Sequence, residues 1–156
     1  MAATTPQIAT ATAVPQVVAH RVEREPTGWT SWVTTTDHKR IGIMYLVLTF
    51  AFFLIGGVEA LLIRLQLAQA DNTLLDPQTY NQLFTMHGTT MIFLFVVPVW
   101  AGFANYMLPL MIGARDMAFP KLNALSFWLL AAGGIVFYAS LFFSPPEAGW
   151  TMYPPL

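Results

Sequence analysis

Three stretches of this chain are almost free of charge, and they limit its fold more than any other feature. Ile41 to Ile63 reads IGIMYLVLTFAFFLIGGVEALLI, with Glu59 as its single charged residue. No charge falls between Asp76 and Arg115, or between Lys121 and Glu147. At about 1.5 Å per residue, the first stretch makes a helix of about 35 Å, longer than the roughly 30 Å hydrocarbon core of a bilayer. The pattern predicts an all-α membrane protein with three transmembrane helices, over about 41–65, 83–112 and 122–144. Composition agrees: 56% of residues are hydrophobic and 10% charged, where soluble domains carry about a quarter.

The rest of the composition mainly excludes. Seven basic and eight acidic residues give a net charge of −1 with no basic patch, so nucleic acid is not an expected partner. The absence of cysteine removes disulfides, thiolate-bound zinc, iron–sulfur clusters and thiol nucleophiles. Any metal must be held by the three histidines, the methionines or the carboxylates. No nucleophile–base arrangement typical of a soluble hydrolase is visible.

Residues 1–36 read as a flexible cytoplasmic tail rich in Ala, Thr and Pro, lacking the cationic start and apolar stretch of a secretory signal peptide. Residues 37–156 hold the spans. The connections, Gln66 to Gln82 and Gly113 to Lys121, are short enough to make neighbouring spans antiparallel. Arg21, Arg24, Lys39, Arg40, Arg115 and Lys121 fall on the N-terminal side and only Arg64 on the other, which predicts a cytoplasmic N-terminus in the cell membrane. Trp29, Trp32, Trp128 and Trp150 lie near span ends, where interfacial aromatics sit. Pro98, inside the second span, predicts a kink within a bundle. No internal repeat and no heptad seam is legible.

Ionisable groups inside spans are costly, which makes each a functional candidate. His87, in TMHGTTM, is flanked by small residues that admit a flat ligand; it reads either as a metal or cofactor ligand or as a histidine bonded to a neighbouring helix. Arg64, at the end of the first span, reads as a snorkelling anchor or as part of a site beside His87. Glu59 must be protonated or paired. Asp116, in IGARDMAFPKLN, reads as a solvated loop acid, or as one of a group of polar residues with Asn105 and Asn123 that could hold a file of water.

Taken together, DHKRIGIMYL, EALLIRLQL, TMHGTTMIF, NYMLPLMIGARDMAFPKLNALSFW and GWTMYPPL resemble the first three transmembrane helices of subunit I of the haem–copper terminal oxidases. The resemblance runs from about Asp37 to Leu156. It implies that His87 is an axial ligand of the low-spin haem iron. It implies that Arg64 contacts the formyl group of that haem when it is haem a, and that Trp150 lies near its propionates with Tyr153 beside it. Asp116 resembles the acid at the mouth of the D channel for protons, which Asn105 and Asn123 match as lining amides.

The resemblance further implies a roughly twelve-helix subunit that takes electrons from cytochrome c, reduces oxygen to water, translocates protons and assembles with II- and III-type subunits among membrane lipids. The second axial histidine, the high-spin haem ligand and the copper ligands lie beyond the third helix in that family. The chain therefore reads as an N-terminal portion, not expected to reduce oxygen alone. Gln66 replaces a glutamate that serves an outer cation site in several relatives. A quinol-oxidising relative is the nearest alternative: Glu59 and Gln82 match its quinol site, but Ile55 and Thr79 stand where that site has an arginine and a histidine. A small three-helix structural or assembly protein, with His87 and Asp116 as packing residues, is the alternative of another class.

Overall fold

The structure, a computed structural model, describes residues 28–153. Among them the elements run α1 (Trp29–Val33), α2 (His38–Gln66), α3 (Pro77–Thr89), a π-helical segment (Thr90–Val96), α4 (Val97–Ile112), α5 (Pro120–Ala139) and a closing 3₁₀ turn (Ser140–Phe142). Three helical runs, His38–Gln66, Pro77–Ile112 and Pro120–Phe142, are long and apolar enough to cross a membrane. The fold is all-helical among the described residues, as the charge-free stretches predict.

Each run begins earlier than its apolar residues do, because polar caps start the helix. The Asp37 carboxylate accepts from the Lys39 N–H, satisfying one of the free amides of the first turn of α2. Asp76 accepts from the Gln78 and Thr79 amides, and Pro77 follows it at a position that needs no N–H. Pro120 opens α5 in the same way. At the other end of α4, Gly113 takes the left-handed conformation (φ 70°) and the Ala114 N–H closes on the Pro109 carbonyl at 2.9 Å.

Residues 1–27 of the expected tail lie outside the described residues. From Gly28 onward that stretch is not featureless. The short helix α1 is tied to the bundle by the Trp128 indole N–H, which donates to the Val33 carbonyl at 3.2 Å, and by an Arg40 guanidinium N–H donated to the Ser31 carbonyl at 3.3 Å.

The irregularity expected at Pro98 takes a definite form. Proline has no N–H for the Leu94 carbonyl, and its ring crowds that carbonyl. The helix widens over Thr90–Val96, and the Val97 N–H reaches back five residues to the Ile92 carbonyl.

α2 is the hub, touching α3, the π-helical segment, α4 and α5. Its buried residues include His38, Tyr45, Phe52 and Glu59, seven apart, and Gly42, Thr49 and Gly56, also seven apart. That is a heptad seam, which the sequence hides. Phe52 apart, its members are small or polar, while the outward residues are as apolar as any core, as expected where lipid rather than water is the solvent. At Gly42 and Gly102 the two backbones nearly meet: a Cβ on Gly42 would lie 3.0 Å from the Gly102 carbonyl oxygen, and one on Gly102 would lie 2.9 Å from the Tyr45 Cβ. α5 is held to α2 at two levels. Tyr45 hydrogen-bonds Ser126 at 2.9 Å and meets Phe127 edge-on, while Phe52 packs on Gly134 and stacks on Tyr138.

The segment after α5 folds back onto α3. The Gly149 N–H donates to Thr85 Oγ1 at 2.8 Å, and Gln78 and Gln82 both donate to the Glu147 carboxylate. Those two amides hold Glu147 below the usual carboxylate range, and bonds from Thr79 do the same for Asp76. A lowered folded-state value stabilises the fold above the ordinary range and is lost as pH falls through it.

Acidification below about pH 4 is therefore expected to loosen residues 144–153 from α3, seen as lost hydrogen-exchange protection at Gly149. Protection that persists in strong acid would contradict this. Gly102→Leu is expected to lower stability in detergent by about 1–3 kcal/mol, through overpacking against Tyr45 and Leu46. An unchanged unfolding midpoint would show that the seam tolerates bulk.

Candidate functional site

His87 lies near the end of α3, half-buried against α2. Its Nδ1 is 2.9 Å from the Gly56 carbonyl oxygen. A carbonyl only accepts, so in the neutral ring the proton is on Nδ1 and the lone pair on Nε2. This is how proteins prepare an imidazole for a metal: the second nitrogen is tied to an acceptor, which fixes tautomer and ring orientation together. Gly56 makes the approach possible, since a Cβ there would meet Met91 Sδ at 2.8 Å and Thr90 Cγ2 at 3.3 Å. Among the described residues no group of three His, Asp or Glu could cage a metal ion. Axial ligation of a haem requires no such cage, only one imidazole on a face, and His87 fits that requirement.

Trp150 is brought to the same place. Gly88 faces the indole, and a Cβ there would lie 3.3 Å from the Trp150 Cβ; Phe93 packs near the same ring, with centroids 6.4 Å apart. The Gly149–Thr85 bond pins this segment two residues before His87. Tyr153 is exposed. Arg64 lies in the last turn of α2, eight residues beyond Gly56 and so about 12 Å further along the helix. It is exposed and makes no hydrogen bond or ion pair among the described residues. His87, Trp150 and Arg64 therefore belong to the same end of the bundle, but only His87 and Trp150 pack close together.

Gln66 is used structurally. Its amide donates to the Asn72 carbonyl at 2.6 Å and accepts from the Leu75 N–H at 2.7 Å, closing the turn after α2. Glu59 is buried at 6% exposure and accepts from the Tyr138 hydroxyl at 3.2 Å, while Gln82 bonds to Glu147. Glu59 and Gln82 are thus engaged with different partners.

At the opposite end, Asp116 sits in the loop between α4 and α5, exposed on one side. Its Oδ1 accepts from its neighbour's amide, Met117 N–H, at 2.8 Å and lies 3.1 Å from His38 Nδ1. Neither asparagine bonds to Asp116. Asn105 is buried in α4, donating to the Ala101 carbonyl at 2.9 Å, and Asn123 is in the first turn of α5. Three polar atoms at this end, His38 Nε2, Asn105 Oδ1 and Asn123 Nδ2, are buried without a protein partner. An unmet buried polar atom costs about 1–3 kcal/mol, so such groups are usually satisfied by internal water. The arrangement can order water between a surface acid and the helix interior.

Sequence reasoning missed two residues. His38 opens α2 with 3% exposure and touches Asp116, 78 positions away in sequence. Its signal was present, an imidazole beside a predicted span, but its pairing depends on the α4–α5 loop folding under the start of α2. Tyr138 reads as one more aromatic near a span end; only the packing shows its hydroxyl between Thr90 and Glu59.

Residues 40–156 match the family model described as Cytochrome C and Quinol oxidase polypeptide I. The chain is 55% identical over 129 residues to cytochrome c oxidase subunit 1 of Synechocystis sp., covering 82% of this chain and 23% of that protein. It is 57% identical over 130 residues to the protein of the same name from Thermostichus vulcanus, covering 82% and 24%. With cytochrome c oxidase subunit 1 of Bacillus subtilis it shares 54% identity over 123 residues, covering 78% and 20%. The chain spans about a quarter of the length of the curated relatives it matches. On the three-span helical fold, the match over residues 40–156 and these identities, the chain belongs to the family of cytochrome c and quinol oxidase polypeptide I.

Proposed function

We propose that this chain forms part of the catalytic subunit of an aerobic respiratory oxidase in the cell membrane, one that takes electrons from cytochrome c, reduces oxygen to water and translocates protons. One observation carries the reading: the Gly56 carbonyl holds the proton of His87 on Nδ1, leaving Nε2 to ligate iron. A low-spin haem bound there supplies a one-electron relay. The residues of this chain hold and tune it. His87 would provide one nitrogen to its iron, Trp150 would close the site beside Gly88, and Arg64 would place a positive charge at the same end, able to draw electron density from the haem if it is haem a. The other ligand of that haem, a high-spin haem and copper would be held by parts of the subunit outside this chain.

Protons enter at the other end. Asp116 collects them at the surface, His38 touches it from the buried side, and Asn105 and Asn123 order water inward without fixing a charge. An imidazole bonded through Nδ1, with Nε2 facing the interior, can pass a proton between the two sides by exchanging tautomers. This end carries Lys39, Arg40, Arg115 and Lys121, which supports a cytoplasmic N-terminus. The exposed Leu129, Ile135 and Val136 of α5, with Trp100 and Met111 of α4, suit contact with lipid and with the II- and III-type subunits. Cytochrome c is favoured over quinol as donor because Glu59 and Gln82 are bound to Tyr138 and Glu147, and because the similar proteins above carry the name cytochrome c oxidase.

In the assembled oxidase, His87→Ala is expected to abolish the low-spin haem absorption and electron-paramagnetic signals. A normal low-spin signal in that variant would refute the ligand role. Asp116→Asn is expected to slow turnover or uncouple it from proton pumping, measured in reconstituted vesicles. Wild-type turnover together with wild-type pumping would remove Asp116 from the pathway.

A further inference from the structure

The Tyr138 hydroxyl lies 2.7 Å from Thr90 Oγ1 and donates to Glu59 Oε1 at 3.2 Å. Because its one proton goes to Glu59, Thr90 must be the donor in the other bond. Thr90 is one helical turn after His87, and Glu59 is one turn after Gly56, whose carbonyl accepts from His87. The four residues and Tyr138 thus close a ring. It runs from Gly56 to His87 by a hydrogen bond, along the chain to Thr90, across Tyr138 to Glu59, and back down α2 to Gly56. Three helical runs are joined at one level inside the membrane, where each hydrogen bond lacks competing water.

The ring is rigid at its corners. Thr90 is fully buried and its methyl sits against Gly56, with Cγ2 3.3 Å from where a Cβ would be. Tyr138 is oriented by stacking on Phe52 (centroids 5.9 Å apart, planes 11° apart), and Phe52 in turn packs on Gly134, one turn before Tyr138 on α5. Removing the phenol oxygen would leave the aromatic packing in place but break the bonds to both Thr90 and Glu59, opening the ring and letting α3 shift against the Gly56 carbonyl.

We propose that Tyr138, acting through Thr90 and Glu59, is a positioning residue that fixes the His87 imidazole against the Gly56 carbonyl and so sets the electronic character of its Nε2. The proposal rests on the reading of His87 as a haem ligand. A longer or bent Nδ1–H···O bond makes the imidazole a weaker donor, which changes the potential and the spectrum of the metal it holds.

The test uses the assembled oxidase with Tyr138→Phe, Glu59→Leu, Glu59→Gln and His87→Ala, reading the midpoint potential and the electron-paramagnetic g-values of the low-spin haem. Tyr138→Phe and Glu59→Leu are expected to retain the haem but shift both quantities in the same direction. The double variant is expected to shift them no further than either single one, because both open the same ring. Glu59→Gln keeps an oxygen that accepts from Tyr138 and is expected to stay close to wild type. Unshifted potential and g-values in Tyr138→Phe would overturn the positioning role, even if thermal stability falls. Additive shifts in the double variant would overturn the ring. A low-spin signal that survives His87→Ala would instead remove the ligand reading beneath both.

Discussion

The close approach of α2 to the α3–α4 run is the contact on which the remaining features depend. In a bilayer the helices gain nothing from hiding apolar surface, since lipid is equally apolar, so they associate through small residues and buried hydrogen bonds. Gly42 and Gly102 let the backbones nearly touch near one end, and Gly56 leaves room for the Thr90 and Met91 side chains nearer the other. Only because the helices lie this close can a main-chain carbonyl of α2 reach an imidazole on α3. The same closeness brings the buried carboxyl of Glu59 within reach of a tyrosine on α5. The seam that packs the bundle is also the frame that orients its chemistry.

Two polar regions occupy opposite ends of the frame. Around His87 hydrogen bonds join the helices, Nδ1 with Gly56, Thr90 with Tyr138 and Tyr138 with Glu59, while Glu59 Oε2 and Thr89 Oγ1 are buried without a protein partner. The bonds that cross between helices favour a fixed geometry at the His87 imidazole. Around Asp116 the polar atoms are largely unpaired on the buried side, with His38 Nε2, Asn105 Oδ1 and Asn123 Nδ2 lacking protein partners. Groups left open in this way can bind water that rearranges, which suits proton movement.

Much of this was legible in the sequence. With so few charges, the three spans followed from where charge is missing, and the resemblance named His87, Arg64, Trp150, Asp116, Asn105 and Asn123 individually. Helix starts were misjudged by several residues because the first turns of α2 and α3 are polar and depend on the caps Asp37 and Asp76. The heptad seam was invisible because hydrophobic periodicity needs contrast, and a lipid-facing helix offers none. His38 and Tyr138 were missed for another reason. Each acquires meaning through a partner 78 or 79 positions away in sequence, and no local pattern encodes such a pairing.

The central claim is that the Gly56 carbonyl holds the Nδ1 proton of His87 so that Nε2 meets the iron. High-resolution density for the assembled, haem-loaded oxidase tests it most directly. The account predicts continuous density from iron to Nε2 of His87, with Nδ1 still on the Gly56 carbonyl. Iron bonded to Nδ1, or a low-spin haem whose axial ligands do not include His87, would contradict it.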